Sequence, residues 1–208
     1  ANLDRESFMA CRYDHVHVLI KAEVFAIVIY KPEQGIIDFP CNLLHEKRLL
    51  PYTRNMNEKD LLSVWCVTHQ KEIYINDITT EYHPYIGVEG LHKLTDDNAY
   101  PNPEQKIVPL SHIYVPLQAK NKTIGLIAIQ STRKNAFQRM HVDMLITLAA
   151  YTAVALDNAD TYQQLSSAQQ LLMSKEKLAA LAALVAGIAQ ELKTTQGKFL
   201  AYPTTSTT

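Results

Sequence analysis

Apolar positions along this chain recur at two spacings, and the change between them divides it. Near the start, Phe8, Met9, Tyr13, Val16 and Ile20 fall three or four residues apart, so Asp4 to about Lys21 is expected to be a helix capped by Asp4. The run Val24-Phe25-Ala26-Ile27-Val28-Ile29-Tyr30 then reads as a strand. Lys31-Pro32-Glu33-Gln34-Gly35 turns it, and Ile36 to about Leu44 returns. A short strand around Leu49–Arg54, a helix over Glu58–His69 and a strand over Glu72–Ile75 follow. From Ile78 to Val108, Pro84, Gly87, Gly90, Pro101 and Pro103 interrupt any period, which marks a long loop with room for a short helix. Ser111–Ala119 and Thr123–Gln130 are strands joined by a hairpin at Lys120-Asn121-Lys122, and Pro116 implies an edge or a bulge.

Past Phe137 the spacing becomes helical and stays so. No proline and only one glycine, Gly187, occur between Phe137 and Gln196, which predicts about 60 residues of helix. Leu171, Leu178, Val185 and Leu192 recur every seven residues, with Leu181 and Ile188 between them, forming an a/d seam for a parallel helical dimer. Tyr151, Ala155, Asn158, Tyr162, Leu165, Gln169 and Leu172 form an earlier seam whose phase does not run unbroken into the later one.

Composition adds bounds. A hydrophobic content of 47% over 208 residues is ample for one compact domain and an extension. A net charge of −1 gives no electrostatic reason to expect nucleic acid or anionic lipid. No apolar run approaches the ~20 residues of a membrane span. Cys11, Cys41 and Cys66 are too few and too scattered for a disulfide framework, which points to the cytoplasm. The chain opens on Ala1 rather than methionine and is therefore expected to be a piece of something longer.

Two resemblances fall on this pattern. Ser63–Asp77, Ile113–Gln130 (I-Y-V-P-L-Q-A-K-N-K-T-I-G-L-I-A-I-Q) and Asp143–Asn158 resemble GAF domains, the hairpin and the following L-x-x-L-A-x-Y-x-A-x-A-L-x-N being the most specific part. The segment from Ala179 through Val185-Ala186-Gly187-Ile188-Ala189-Gln190-Glu191-Leu192 to Thr194 resembles the phosphoacceptor helix of bacterial sensor histidine kinases. That chemistry needs an exposed imidazole to attack the γ-phosphate of ATP. Here Gln190 stands at the solvent-facing f position, and an amide cannot serve; Thr195 also stands where the family has proline. The implied fold is α+β, an antiparallel sheet with flanking helices extended by a long coiled-coil helix. The implied organisation is a sensor domain at 1–160, a signalling and dimerisation helix at 161–196 and a flexible tail at 197–208.

Candidate chemistry is sparse. None of the eight histidines shows a compact metal-ligand spacing, and no phosphate-cradling glycine motif occurs. The cyclic-nucleotide and bilin marks of ligand-binding GAF subfamilies are missing too, so no cofactor is assigned. The resemblance places a pocket between the sheet and the 78–108 segment, with Trp65, Tyr74, Tyr82, His83, His92, His112 and Tyr114 nearest it. The expected activity is regulatory: a GAF signal passed to a homodimeric helix, with a small molecule as possible ligand. The rival readings are a piece of an active histidine kinase and a ligand-free structural dimeriser.

Overall fold

The computed structural model describes residues 20–45, 47–95 and 107–199, the side chains of 193–199 excepted. The helix expected from Asp4 lies outside the described residues except for Ile20 and Lys21, which are not helical. Seven strands form one antiparallel sheet: β1 (Val24–Lys31), β2 (Ile36–Leu44), β3 (Lys47–Arg48), β4 (Tyr52–Asn55), β5 (Ile73–Ile75), β6 (Ser111–Ala119) and β7 (Lys122–Ser131). The order is β3-β2-β1-β7-β6-β5, and β4 shares the outer edge of β2 with β3. Among the described residues the α-helices are α1 (Leu62–His69), α2 (Ile78–Glu81), α3 (Val88–Thr95) and α4 (Arg139–Phe199).

The sheet has a core on each face. On one, Phe25, Ile27, Ile113, Val115, Ile127 and Ile129 pack with Val142, Leu145, Ala149, Ala153 and Leu156 of α4. On the other, Ala26, Val28, Tyr114, Leu126 and Ala128 pack with Leu62, Val64, Cys66 and Val67 of α1 and Ile78 of α2. Central strands covered on both sides must be apolar at every position, hence the unbroken run in β1.

Departures from the expected elements have local causes. The expected helix at 58–69 starts only at Leu62. Before it, Asn55 Oδ1 accepts from the Asn57 amide (2.9 Å) and Glu58 Oε1 accepts from the Asn55 amide (2.9 Å), a turn that competes with helix. The 78–108 stretch holds two short helices, α2 and α3, before 96–106, which lie outside the described residues. Asp77 caps α2 through Thr79 N–H (3.0 Å). The hairpin residues Lys120 and Asn121 both have positive φ, 50° and 62°, as a two-residue turn requires. Pro116 lies beyond the reach of β5, which pairs only with residues 112–114, and just before a register shift in the β6–β7 pairing at Leu117/Gln118. The glycine of the I-G-L-I stretch is also explained: a Cβ on Gly125 would collide with the Val28 carbonyl oxygen of β1.

The chain divides into two compact units, Ala1–Asp157 and Asn158–Thr208. Helix α4 reaches Phe199, three residues past its expected end, and the rest of the expected tail lies outside the described residues. In the second unit, Leu171, Leu178, Leu181, Val185, Ile188 and Leu192 are all exposed.

Candidate functional site

The α1–α3 side of the sheet is not completely filled. A cavity of about 260 Å³ remains there. Its floor is the sheet: Val24 and Ala26 of β1, Ala128 and Gln130 of β7, and Tyr114 of β6. Phe39 and Asn42 of β2 join from one side, with Tyr52 and Arg54 of β4. Glu58, Leu61, Leu62 and Ser63 close it at the start of α1, and Lys93 and Leu94 reach it from α3.

A bulge builds one wall. The β1–β2 register slips between the pairs Ile27–Cys41 and Ile29–Asp38, so β2 spends an extra residue around Pro40. The slip reverses the alternation of β2. Ile37 and Phe39 face the α1–α3 core, whereas beyond it Cys41 and Leu43 face α4. Phe39 and Asn42 therefore line the same cavity although they stand three positions apart. Phe39 stacks on Tyr52 at 4.4 Å, and the Arg54 guanidinium lies 5.7 Å from the Tyr52 ring centre.

Helix α3 is positioned by Gly90. A Cβ there would come within 2.6 Å of the Asp60 carbonyl oxygen, so the missing side chain lets α3 approach the turn before α1. The Asp60 carboxylate also accepts from the Gly87 amide at 3.3 Å. This contact brings Lys93 and Leu94 to the cavity.

The polar groups are few and distinct. Tyr114 Oη accepts from Gln130 Nε2 at 2.7 Å. Arg54 Nη1 lies 3.6 Å from Glu58 Oε2, both half-buried. Asn42 is 5% exposed, and its Oδ1 has no hydrogen-bond partner.

Of the seven side chains expected near a pocket, Tyr114 lines this one. His112 lies on the same sheet face but is sealed in, its Nε2 donating to the Pro109 carbonyl at 3.1 Å. Trp65 stacks on His69 at 4.2 Å and meets Tyr85 edge-on at 4.9 Å. Tyr82 is buried with exposed His83 stacked on it at 3.9 Å, and His92 of α3 is exposed. Tyr74 faces the opposite core and donates to the Phe137 carbonyl at 2.8 Å. The reading of the sequence missed Asn42, Arg54, Ser63 and Lys93, and the one signal for Asn42 was a proline inside the second strand.

Cys41 packs in the α4-side core. Cys66 is completely buried, its thiol pushed up first by burial and then by the Glu72 carboxylate. Neither is among the residues lining the cavity, and Cys11 lies outside the described residues. Among the described residues no three His, Cys, Asp or Glu side chains gather as a metal site would require.

Sheet and cavity together define a class: an antiparallel-sheet domain with a helix packed on one face and a ligand-sized cavity on the other. A family model for the GAF domain matches residues 14–157, and the chain belongs to the GAF domain family. Members are sensory domains of signalling proteins and often bind small ligands. The fold is similar to the type II free methionine-R-sulfoxide reductase of Thermoplasma acidophilum (18% identity, TM-score 0.51, covering 71% of this chain and 88% of that one). It is similar to the GAF domain of the Acinetobacter phosphoenolpyruvate-protein phosphotransferase (13%, TM-score 0.53, 73% and 80%). A red/green cyanobacteriochrome in its red light-absorbing state also matches (16%, TM-score 0.54, 77% and 98%). No curated protein matches the chain in sequence. Among the described residues no helix is long and apolar enough to cross a membrane.

Proposed function

We propose that this chain is the sensory module of a two-component-type signalling protein. A small molecule in the cavity acts on a helical transmitter formed by 161–196 of two chains. The observation that carries the reading is the sharing of β6 and β7 between the cavity and the α4-side core. Tyr114 and Gln130 meet at the cavity, while their neighbours Ile113, Val115 and Ile129 pack in the core that contains α4. Close-packed strands do not deform on one face alone, so a ligand that moves Tyr114 changes the packing of α4.

The start of α4 is also tied to the sheet by polar contacts. Ser111 Oγ lies 2.8 Å from the Asn76 carbonyl and 2.7 Å from the Arg133 carbonyl, and accepts from the Ala136 amide at 3.3 Å. Lys134 pairs with Asp77 at 2.7 Å. A rotation of α4 passes through these contacts.

The exposed heptad positions of the second unit support a dimer, since the a/d pattern makes a seam that a second copy would cover. Gln190 makes the transmitter mechanical rather than phosphoaccepting. The free thiols of Cys41 and Cys66 fit a reducing cytoplasm. Sedimentation equilibrium at tens of micromolar tests the arrangement. The chain is expected to be a dimer, and the double variant Leu178→Lys/Val185→Lys a monomer with an unchanged GAF thermal transition. A monomeric parent chain sinks the transmitter.

A further inference from the structure

Two adjacent residues between β5 and α2, Asn76 and Asp77, each hold two parts of the domain at once. The Asn76 amide donates to Glu81 Oε2 at the end of α2 (3.0 Å). Its carbonyl accepts from the Asn135 amide (2.9 Å) and from Ser111 Oγ (2.8 Å). The Asp77 carboxylate caps α2 by accepting from the Thr79 amide (3.0 Å) and hydroxyl (2.7 Å), and it pairs with Lys134 (2.7 Å). Each residue therefore has one hold on α2 and another on the loop from β7 into α4. Asn135 has a positive φ of 53°, so its bond to Asn76 also fixes the turn that leads into α4.

The far end of the same segment reaches the cavity. Ile78, Tyr82 and Ile86 are buried in the α1-side core. The Ile86 amide donates to the Tyr82 carbonyl (3.0 Å) and the Leu91 amide to the Gly87 carbonyl (3.1 Å). Residues 78–95 thus form a strap that contains α2 and α3, seated by its side chains and stiffened by its own backbone bonds. Helix α3, held against Asp60 at Gly87 and Gly90, brings Lys93 and Leu94 to the cavity.

We propose that Asn76 and Asp77 are a latch through which the α2–α3 strap and the entry to α4 move as one cooperative unit. A shift of α2 that keeps its bonds to Glu81 and Thr79 must carry residues 76–77 with it. These take the Asn135 and Lys134 contacts along, and so change the direction in which α4 starts. This route runs outside the central strands, in addition to the one through β6 and β7. It rests on the reading of the cavity as a ligand site only for what drives it: a ligand that displaces Lys93 and Leu94. The coupling itself belongs to the chain with nothing bound.

Amide hydrogen exchange of the ¹⁵N-labelled full chain, followed by NMR, tests the latch. Gly90→Ala drives a Cβ against the Asp60 carbonyl and loosens α3, which faster exchange at Leu91 reports. Leu94→Ala, which removes packing from the same helix, serves if the glycine variant does not fold. Loosening α3 is expected to speed exchange at Asn135 about tenfold. With the latch cut by Glu81→Ala and Lys134→Met, the added effect of loosening α3 should fall to about threefold or less. Faster exchange at Leu91 with Asn135 at its parent rate overturns the latch. A full-sized Asn135 response in the cut background overturns it as well, since the coupling then travels by another path. No ligand enters the test, so failure of the latch leaves the cavity and the β6–β7 route untouched, and a cavity without a ligand leaves the latch standing.

Discussion

His112 makes folding sensitive to mild acid. It is fully buried on β6, opposite Ile75 and Gln130, with the Tyr114 ring 6.2 Å away. A carbonyl can only accept, so the bond to Pro109 fixes the proton on Nε2 and leaves Nδ1 as a bare acceptor with no partner. A second proton would create a buried cation with an unanswered donor. Burial accordingly pushes the pKa down from 6.5 to about 4, against a smaller upward pull from the Pro109 carbonyl. Because the unfolded chain takes up the proton first, the stabilisation is complete above pH 6.5 and is lost as pH falls from there to about 4. At ~1.4 kcal/mol per tenfold in proton affinity, the loss amounts to about 3 kcal/mol, a large share of a typical domain's stability. Urea unfolding at several pH values between 7.5 and 4 measures it. The comparison is His112→Gln, which can still donate to Pro109 but does not titrate. Asp77, held below the usual carboxylate range by its hydrogen bond to Lys134, loses its contribution only as pH falls below about 4, beneath this window. Parallel stability curves for parent and variant between pH 6.5 and 4 would refute the reasoning.

Two other substitutions probe the frame around the cavity. Gly125→Ala drives a Cβ into the Val28 carbonyl oxygen of a central strand, where no side chain can yield. It should cost about 2–3 kcal/mol and lower Tm by roughly 5–10 °C in a circular-dichroism melt, and a shift under about 2 °C would contradict the close approach. Ser111→Ala removes the hydroxyl shared by Asn76, Arg133 and Ala136 and should cost about 1–3 kcal/mol in urea unfolding. It should also speed amide exchange at Ala136, and unchanged exchange there would mean that Ser111 does not tie down the start of α4.

The elements were legible wherever one residue type decides local geometry. The β1 run, the Pro32–Gly35 turn, the Lys120–Asn121 hairpin and the proline-free α4 all stand close to where the sequence places them. The start of α1 was misplaced by four residues because Asn55 and Glu58 spend their side chains on a turn rather than on a helix cap. The site was far less legible. Of the aromatic and histidine side chains expected near a pocket, Tyr114 lines this cavity, while Trp65 meets Tyr85 edge-on, Tyr74 bonds to the Phe137 carbonyl, and Tyr82 and His112 are buried.

What the sequence determined by itself is therefore whatever repeats or is sterically dictated along the chain. The heptad positions from Leu171 to Leu192 define an apolar stripe without reference to anything else, and the sheet's central strands announce burial on both faces by lacking polar alternation. Tertiary structure decided the cavity. Asn42 reaches it only because the bulge at Pro40 reverses the facing of β2, and a period-two pattern read along the strand cannot count that extra residue in advance. Arg54 and Lys93 belong to the same cavity only because β4 pairs with β2 and because Gly90 lets α3 settle against Asp60. Both contacts join residues far apart in the chain, so the cavity and the charges around it exist only once the sheet has closed.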